Sequence, residues 1–573
     1  MGYNLAGGLS SMLKDGHQSF EGVDEAIMRN IEAAKQLADV VKTSLGPNGM
    51  NKLVVTHLDK TIVTSDGATV VNELEVQHPA AKMLVLASQM QEKECGDGTS
   101  FVVTFAGELL RLAGELLRQG LHTAEILEGY KRAAAKCAEA LPGLVCHTVA
   151  DVRDKQALTV AIRDVLASKQ YGFEDTLAPF VAEATLAVMP PAPAAPSVSV
   201  ESVRVVKLLG GSVAQSHVVR GMVVQRSAEG SVKRCADAKV TVFGCGIEAS
   251  STEAKGTVLI HSAEELMNYN KASSDIGEEK LMEEIIKSVA DSGATVVVSG
   301  GSVSDMAMHF LERHNIMVIK VPSKWELRRV CQATNATALV RLGPATPEEM
   351  GSCKLVEVRE VGSRKVTVFE QPPTEGGGEG TDARVATVVL RASTDSLLND
   401  IERAVDDGVH CARGLCRDPR FVPGAGATEI ELARQVLAFA DEQQGLDQYA
   451  IRKFAEALEV VPRILADTAG LNASAVLARL RAAHAAGRAD AGVDIEAGGN
   501  GGGAVEEEGM GTGGDNGGAT GTGRTVWDLL STKESALRLA VDAALTVLRV
   551  DQIIMSKPAG GPKPRAPQND TED

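Results

Sequence analysis

Apolar residues recur at helical spacing over long stretches near both ends of the chain. Val23 to Val41 reads as an amphipathic helix. Ala80, Met83, Leu84, Ala87 and Met90 mark one face of a helix from Ala80 to Glu94, and Leu109, Leu110, Leu112, Ala113, Leu116 and Leu117 mark another from Phe101 to Gln119. The same period runs through Ala450 to Ala469, read as one apolar-periodic segment, and through Lys533 to Arg549. The middle of the chain changes period. Lys239 to Phe243, Ala294 to Ser299 and Ile316 to Ile319 are short β-branched runs separated by helical patterns, as an α/β layer requires. The organisation is therefore nested: helix-rich up to about Leu144, an α/β insert, and helix-rich again from about Cys411.

Three stretches fit neither pattern. Ser250 to Lys287 is polar, charged and largely helical, either a solvated helix pair or a mobile cover. Met189 to Pro196 is rich in proline and predicts an extended connector. Gly498 to Gly523 is glycine-dominated and acidic, which predicts disorder, as does the polar tail from Lys557 to Asp573.

A chain of 573 residues with 44% hydrophobic content is long enough for two to four cores. A net charge of −18 disfavours nucleic acid as a partner, since phosphate-backbone affinity rests on clustered Lys and Arg. Nine scattered cysteines argue against a disulfide framework, and Cys411 with Cys416 reads as a pair of packed or surface thiols. No apolar run approaches a membrane span, no secretory leader is visible, and Ala6 stands where a myristoylation signal needs Ser or Thr. A reduced cytoplasmic protein is expected.

The chemistry concentrates in loops at predicted helix starts. Gly96-Asp97-Gly98-Thr99-Ser100 sets a carboxylate, two glycines and two hydroxyls between two helices. Unpaired N–H groups there attract anions, and Asp97 is the natural Mg²⁺ ligand. An ordinary helix cap would have the same sequence. Thr43 to Met50 carries Gly-Pro and Asn-Gly turns, Thr64 to Thr69 places Asp66 on a turn after the β-rich runs Leu53 to Val55 and Thr61 to Val63, and Pro423 to Glu429 is a small-residue loop entering a helix. Singly, each reads as a turn. No Walker A sequence occurs, and no kinase-type motif is visible.

In this order the loops resemble the ATP site of group II chaperonins, the archaeal thermosome and the eukaryotic cytosolic chaperonin TRiC/CCT. The patterns T-x-x-G-P-x-G-M, N-D-G-A-T, H-P-A-A-K, G-D-G-T-T and P-G-G-G-A-x-E appear as Thr43 to Met50, Ser65 to Thr69, His78 to Lys82, Gly96 to Ser100 and Pro423 to Glu429. Glu75 to Pro79, Asp400 to Gly408 and Leu548 to Gly561 look like one particular paralogue among the eight eukaryotic ones. The resemblance implies an α+β multidomain chaperonin fold: a helical equatorial domain (1–150 and 409–573), a small intermediate hinge domain (151–215 and 374–408), and an inserted α/β apical domain (216–373) whose helical protrusion, about 248–287, serves as a lid. It implies cofactors ATP and Mg²⁺, a double eight-membered ring shared with seven paralogous subunits, and unfolded clients including actin and tubulin. Asp305 to Arg313 and Trp325 to Val330 are then either client contacts or plain apical surface.

Residue roles carry over by position. Asp97 would bind Mg²⁺; Gly98, Thr99 and Ser100 would donate to phosphate oxygens; Gly46 and Pro47 would line the triphosphate from the opposite loop. Asp66 would hold metal-bound or attacking water, Asp407 would orient or activate that water, and Lys169 would sense the γ-phosphate. Gly424 and Gly426 would pass under the ribose, with Asp528 an acidic ribose or adenine contact. Without the resemblance, Asp406 and Asp407 read as an exposed helix end and Lys169 as a surface lysine. The chain departs from the family patterns at Ser65, Ser100, Ala392 and Ala425. Ala425 implies either weaker binding or less unusual dihedrals than the glycine it replaces. ATP hydrolysis coupled to folding is the activity implied, with a nucleotide-binding but hydrolytically silent ring subunit as the alternative.

Overall fold

The computed structural model describes residues 18–19, 23–56, 59, 61–248, 275–362, 364–371, 385–495, 526–552 and 554–555. Most of the predicted protrusion, the glycine-rich run and the polar tail lie outside them. At the base, helices Val23–Lys42, Pro79–Cys95, Thr99–Arg118, Thr123–Ala140, Ala427–Asp441 and Leu530–Leu548 share one hydrophobic core drawn from both chain ends. Thr99–Arg118 runs through its centre, with Phe105, Leu109, Leu110 and Leu112 fully enclosed. Each such side chain contributes roughly 1.5–3 kcal/mol by leaving water. The predicted segment Ala450 to Ala469 is two helices, Asp447–Leu458 and Val460–Thr468. Pro462 accounts for the break, because it has no N–H to offer the carbonyl four residues back.

A second core joins helices Lys155–Lys169, Glu174–Val188 and Asp395–Leu415 to strands Val203–Leu209 and Ala386–Ala392. Above it, further clusters enclose strands Arg234–Phe243, Val296–Ser299 and Met317–Lys320, close to where period-2 runs predict them. One sheet connects these levels. Its order is Val203–Leu209, Ala386–Ala392, His217–Val224, Arg364–Glu370, Gly351–Val361, Arg234–Phe243, Val296–Ser299, Met317–Lys320, with Ala338–Leu339 beside Arg234–Phe243. His217–Val224 changes partners midway: residues 217–220 pair with Ala386–Ala392 and residues 221–224 with Arg364–Glu370.

The proline-rich connector is not extended. It turns at Pro191, whose carbonyl accepts from the Ala194 N–H at 3.2 Å, and Arg153 donates to the carbonyls of Pro190 and Ala194. Backbone bonds and an arginine clamp outweigh the preference of proline for an open chain. Among the described residues, the nine cysteines are all free thiols, and no helix is long and apolar enough to cross a membrane.

Candidate functional site

The loops of interest converge on a cleft of about 250 Å³ between the helical base and the second core. Thr99–Arg118 starts in its floor. Gly98, at φ 84°, caps that helix in the left-handed region, where a side chain would be strained, and its N–H is held by Asp97 Oδ1 at 2.7 Å. Thr99 Oγ1 is buried and has no hydrogen-bond partner among the described residues, so a donor sits at a helix N-terminus with nothing to bind. Gly46, at φ 85°, brings the facing loop against Leu465, leaving no room for a Cβ. Pro47, Ser100, Ala425 and Gly426 complete the small-residue lining.

The charged groups form two sets. Asp66 caps helix Gly67–Glu73, accepting from the Thr69 N–H at 3.0 Å and hydroxyl at 2.7 Å. Lys169, in the last turn of Lys155–Lys169, reaches Asp66 Oδ1 at 2.8 Å and Asp407 Oδ2 at 3.4 Å. Burial acts against ionising Asp66, yet Lys169 and Thr69 outweigh it and hold the carboxyl well below the usual range. Burial likewise acts against the Lys169 ammonium, and Asp66, Asp407 and Asp97 outweigh it to raise its pKa. Asp407 is the opposite case: burial raises its carboxyl well above the ordinary value despite Lys169, and its Oδ2 accepts no hydrogen bond among the described residues. Asp406, next to it, faces solvent. Asp97 is also raised by burial, with Lys169 opposing. The second set is Lys533 between Glu429 and Asp528, the latter at 3.0 Å.

Gly46, Pro47, Asp97, Gly98, Thr99, Ser100, Lys169, Gly426 and Asp528 all line this cleft. Asp66 and Asp407 line a neighbouring cavity of about 360 Å³ with Arg204, Arg329, Glu402 and Arg403, and Lys169 bridges the two spaces. Gly424 does not face the cleft. Its N–H donates to the Val526 carbonyl at 2.9 Å, behind the wall. Ala425 keeps a left-handed backbone at φ 53°, so the expectation of less unusual dihedrals fails here. A Cβ built on Gly492 would lie 3.0 Å from the Ala425 methyl, which is therefore packed toward that glycine.

Sequence reasoning missed three contributors. Gln91, fully buried, donates to the Asp97 carbonyl at 2.8 Å and accepts from Ser535 at 2.9 Å, tying the Gly96–Ser100 loop to the last long helix. Lys533 and the wall Val493-Asp494-Ile495 also line the cleft. Gln91 and Lys533 interrupt apolar helical faces, and that polar break was the available signal.

A profile of the TCP-1/cpn60 chaperonin family matches residues 37–558. T-complex protein 1 subunit theta of Arabidopsis thaliana is 50% identical over 563 residues, covering 98% of this chain and 97% of its own. The theta subunit of Homo sapiens is 48% identical over 568 residues, covering 99% and 98%, and that of Dictyostelium discoideum 46% over 557 residues, covering 97% and 98%. Theta is also the paralogue that the stretches 75–79, 400–408 and 548–561 resemble. With its helical core, its curled sheet and a family match over most of its length, this chain belongs to the TCP-1/cpn60 chaperonin family and is similar nearly end to end to theta subunits.

Proposed function

We propose that the chain is an ATP-hydrolysing subunit of a cytoplasmic chaperonin, with the base 1–150 and 409–573 as equatorial domain, 151–215 and 374–408 as hinge, and 216–373 as apical domain. The observation that carries this reading is Lys169 held between Asp66 and Asp407, beside the Asp97 loop, where the two cores meet. The site residues fit a magnesium nucleotide: an unbonded Thr99 hydroxyl at a helix N-terminus, a glycine cradle, and one carboxylate at the loop. Bound at Asp97 and phosphate oxygens, Mg²⁺ would neutralise phosphate charge.

Gly98, Thr99 and Ser100 then donate to phosphate oxygens while Gly46 and Pro47 close the opposite side. Asp66 holds a water, and Asp407 orients it for attack on the γ-phosphate once Lys169 turns from the carboxylates toward that phosphate, the water's proton leaving with the product phosphate. Gly426, with Gly424 behind it, shapes the ribose end beside Asp528. Breaking the Lys169 contacts frees the hinge to rotate and lower the apical domain over an unfolded polypeptide. The ring reading, with seven paralogous subunits in two stacked rings of eight and clients such as actin and tubulin, rests on family resemblance.

The test is Asp407→Ala and Asp97→Ala in the assembled particle. Loss of this subunit's turnover with nucleotide retained in Asp407→Ala, and loss of Mg-ATP binding in Asp97→Ala, are expected. Turnover unchanged by Asp407→Ala would instead assign a hydrolytically silent position.

A further inference from the structure

The cleft wall at Val493-Asp494-Ile495 follows helix Ala473–Ala485 and has no regular secondary structure of its own. It is nevertheless pinned. The Val493 N–H donates to the Ala425 carbonyl at 2.9 Å, and Ala491, two residues earlier, has its carbonyl 2.9 Å from Nε2 of His484. The His484 side chain is completely enclosed, and its other ring nitrogen lies 3.0 Å from Glu431 Oε2. The ring thus bridges a carboxylate on one element and a backbone carbonyl on another. Glu431 also accepts from Arg434 and Gln435. It belongs to helix Ala427–Asp441, which begins directly after Ala425 and Gly426. The cluster thus links the helix behind one side of the cleft to the irregular segment forming the adjoining side.

We infer that His484, oriented by Glu431, is a positioning residue for the nucleoside end of the cleft: by holding the Ala491 carbonyl it fixes Val493-Asp494-Ile495 as the surface that receives base and ribose. This rests on the nucleotide reading above. The chemistry fits, because the contact at Ala491 adds a second backbone anchor to the Val493–Ala425 bond in a segment without regular structure, and a fully enclosed polar contact is protected from competition by water. His484 acts through the backbone and touches no substrate.

The test uses the purified full chain with His484→Phe, which keeps ring volume and removes both polar ring nitrogens, and His484→Gln, which keeps a side-chain donor. Expected for His484→Phe are faster amide exchange in peptides spanning 488–495, unchanged exchange in 97–105, and about tenfold weaker Mg-ATP binding, as for one lost buried hydrogen bond. His484→Gln should recover part of both. Affinity for Mg-tripolyphosphate, which has no nucleoside, should stay within about twofold. Exchange rising uniformly through the helical base, unchanged ATP affinity, or equal losses for ATP and tripolyphosphate would each overturn the inference. Should His484→Phe not fold, His484→Gln carries the same comparisons. If the unaltered chain binds no Mg-ATP, the nucleotide reading fails by itself and this inference fails with it.

Discussion

Lys169 and Lys533 line the same cleft, each with a largely buried side chain, 11% and 15% exposed, and each between two carboxylates. Their surroundings differ in one respect. Lys533 and its partner Glu429 lie on helices of the base, and its other partner, Asp528, stands on the short strand Trp527–Leu529 that leads straight into the helix of Lys533. Lys169 ends a helix of the second core and reaches both Asp66 on the base and Asp407 on a helix of its own core. Similar local electrostatics therefore stitch one body together in one place and fasten two bodies in the other. A buried ion pair is costly to break when one partner is removed, and an ion pair between bodies must be broken for them to separate.

The strongest test of that contrast is Lys533→Met against Lys169→Met. Each leaves two carboxylates unpaired and should cost about 3–5 kcal/mol. Lys533→Met should lower the global unfolding midpoint in denaturant. Lys169→Met should raise hydrogen exchange in 155–169 and 395–415 while sparing 427–441. Identical exchange patterns would erase the distinction. Next in size is Gly96→Ala. At φ 77°, with a Cβ falling 2.5 Å from His410 Cβ, it should force helix Asp395–Leu415 off the base and cost roughly 2–3 kcal/mol, read as a lower unfolding midpoint.

Asp407→Asn sharpens the electrostatic side. The raised Asp407 pKa means the folded state holds a proton that the unfolded state gives up near the ordinary carboxylate value. That contribution is complete at low pH and fades as pH rises toward the raised value. The variant should match the unaltered chain below about pH 4 and exceed it in stability at pH 8, measured by denaturant unfolding at both pH values. Smallest is Ala425→Gly. Relief of the left-handed alanine is offset by greater unfolded-state freedom, so stability should move by less than about 1 kcal/mol and Mg-ATP affinity by less than about twofold in calorimetry.

Much of this architecture was legible because amphipathic period and turn chemistry are local properties. Thr99–Arg118 and Pro79–Cys95 follow from spacing, and the Gly-Pro and Gly-Asp-Gly loops announce themselves by residue type. What spacing could not show was pairing at long range. Lys169 has the sequence surroundings of a surface lysine, and its burial depends on Asp66, 103 residues earlier. The break before Pro462 was visible and lost to a strong apolar period on either side. Gln91 and Lys533 lay within helices whose apolar residues set the reading, and the helix of His484 was not read at all, so their buried polar partners emerged with the three-dimensional packing.

The strand His217–Val224 adds a mechanical consequence. Its two halves are bonded into different strand pairs, and between them the Gly221 N–H donates to the Val385 carbonyl while Gln371 donates back to the Arg220 carbonyl. Gly221 sits at φ 126° with the Phe369 carbonyl where a Cβ would be, so no other residue fits that crossing. The upper part of the sheet is thus welded to the second core by continuous covalent backbone. Any rotation of helix Asp395–Leu415 would thus be carried along one hydrogen-bonded sheet, whereas the contact of Lys169 with Asp66 rests on side chains alone.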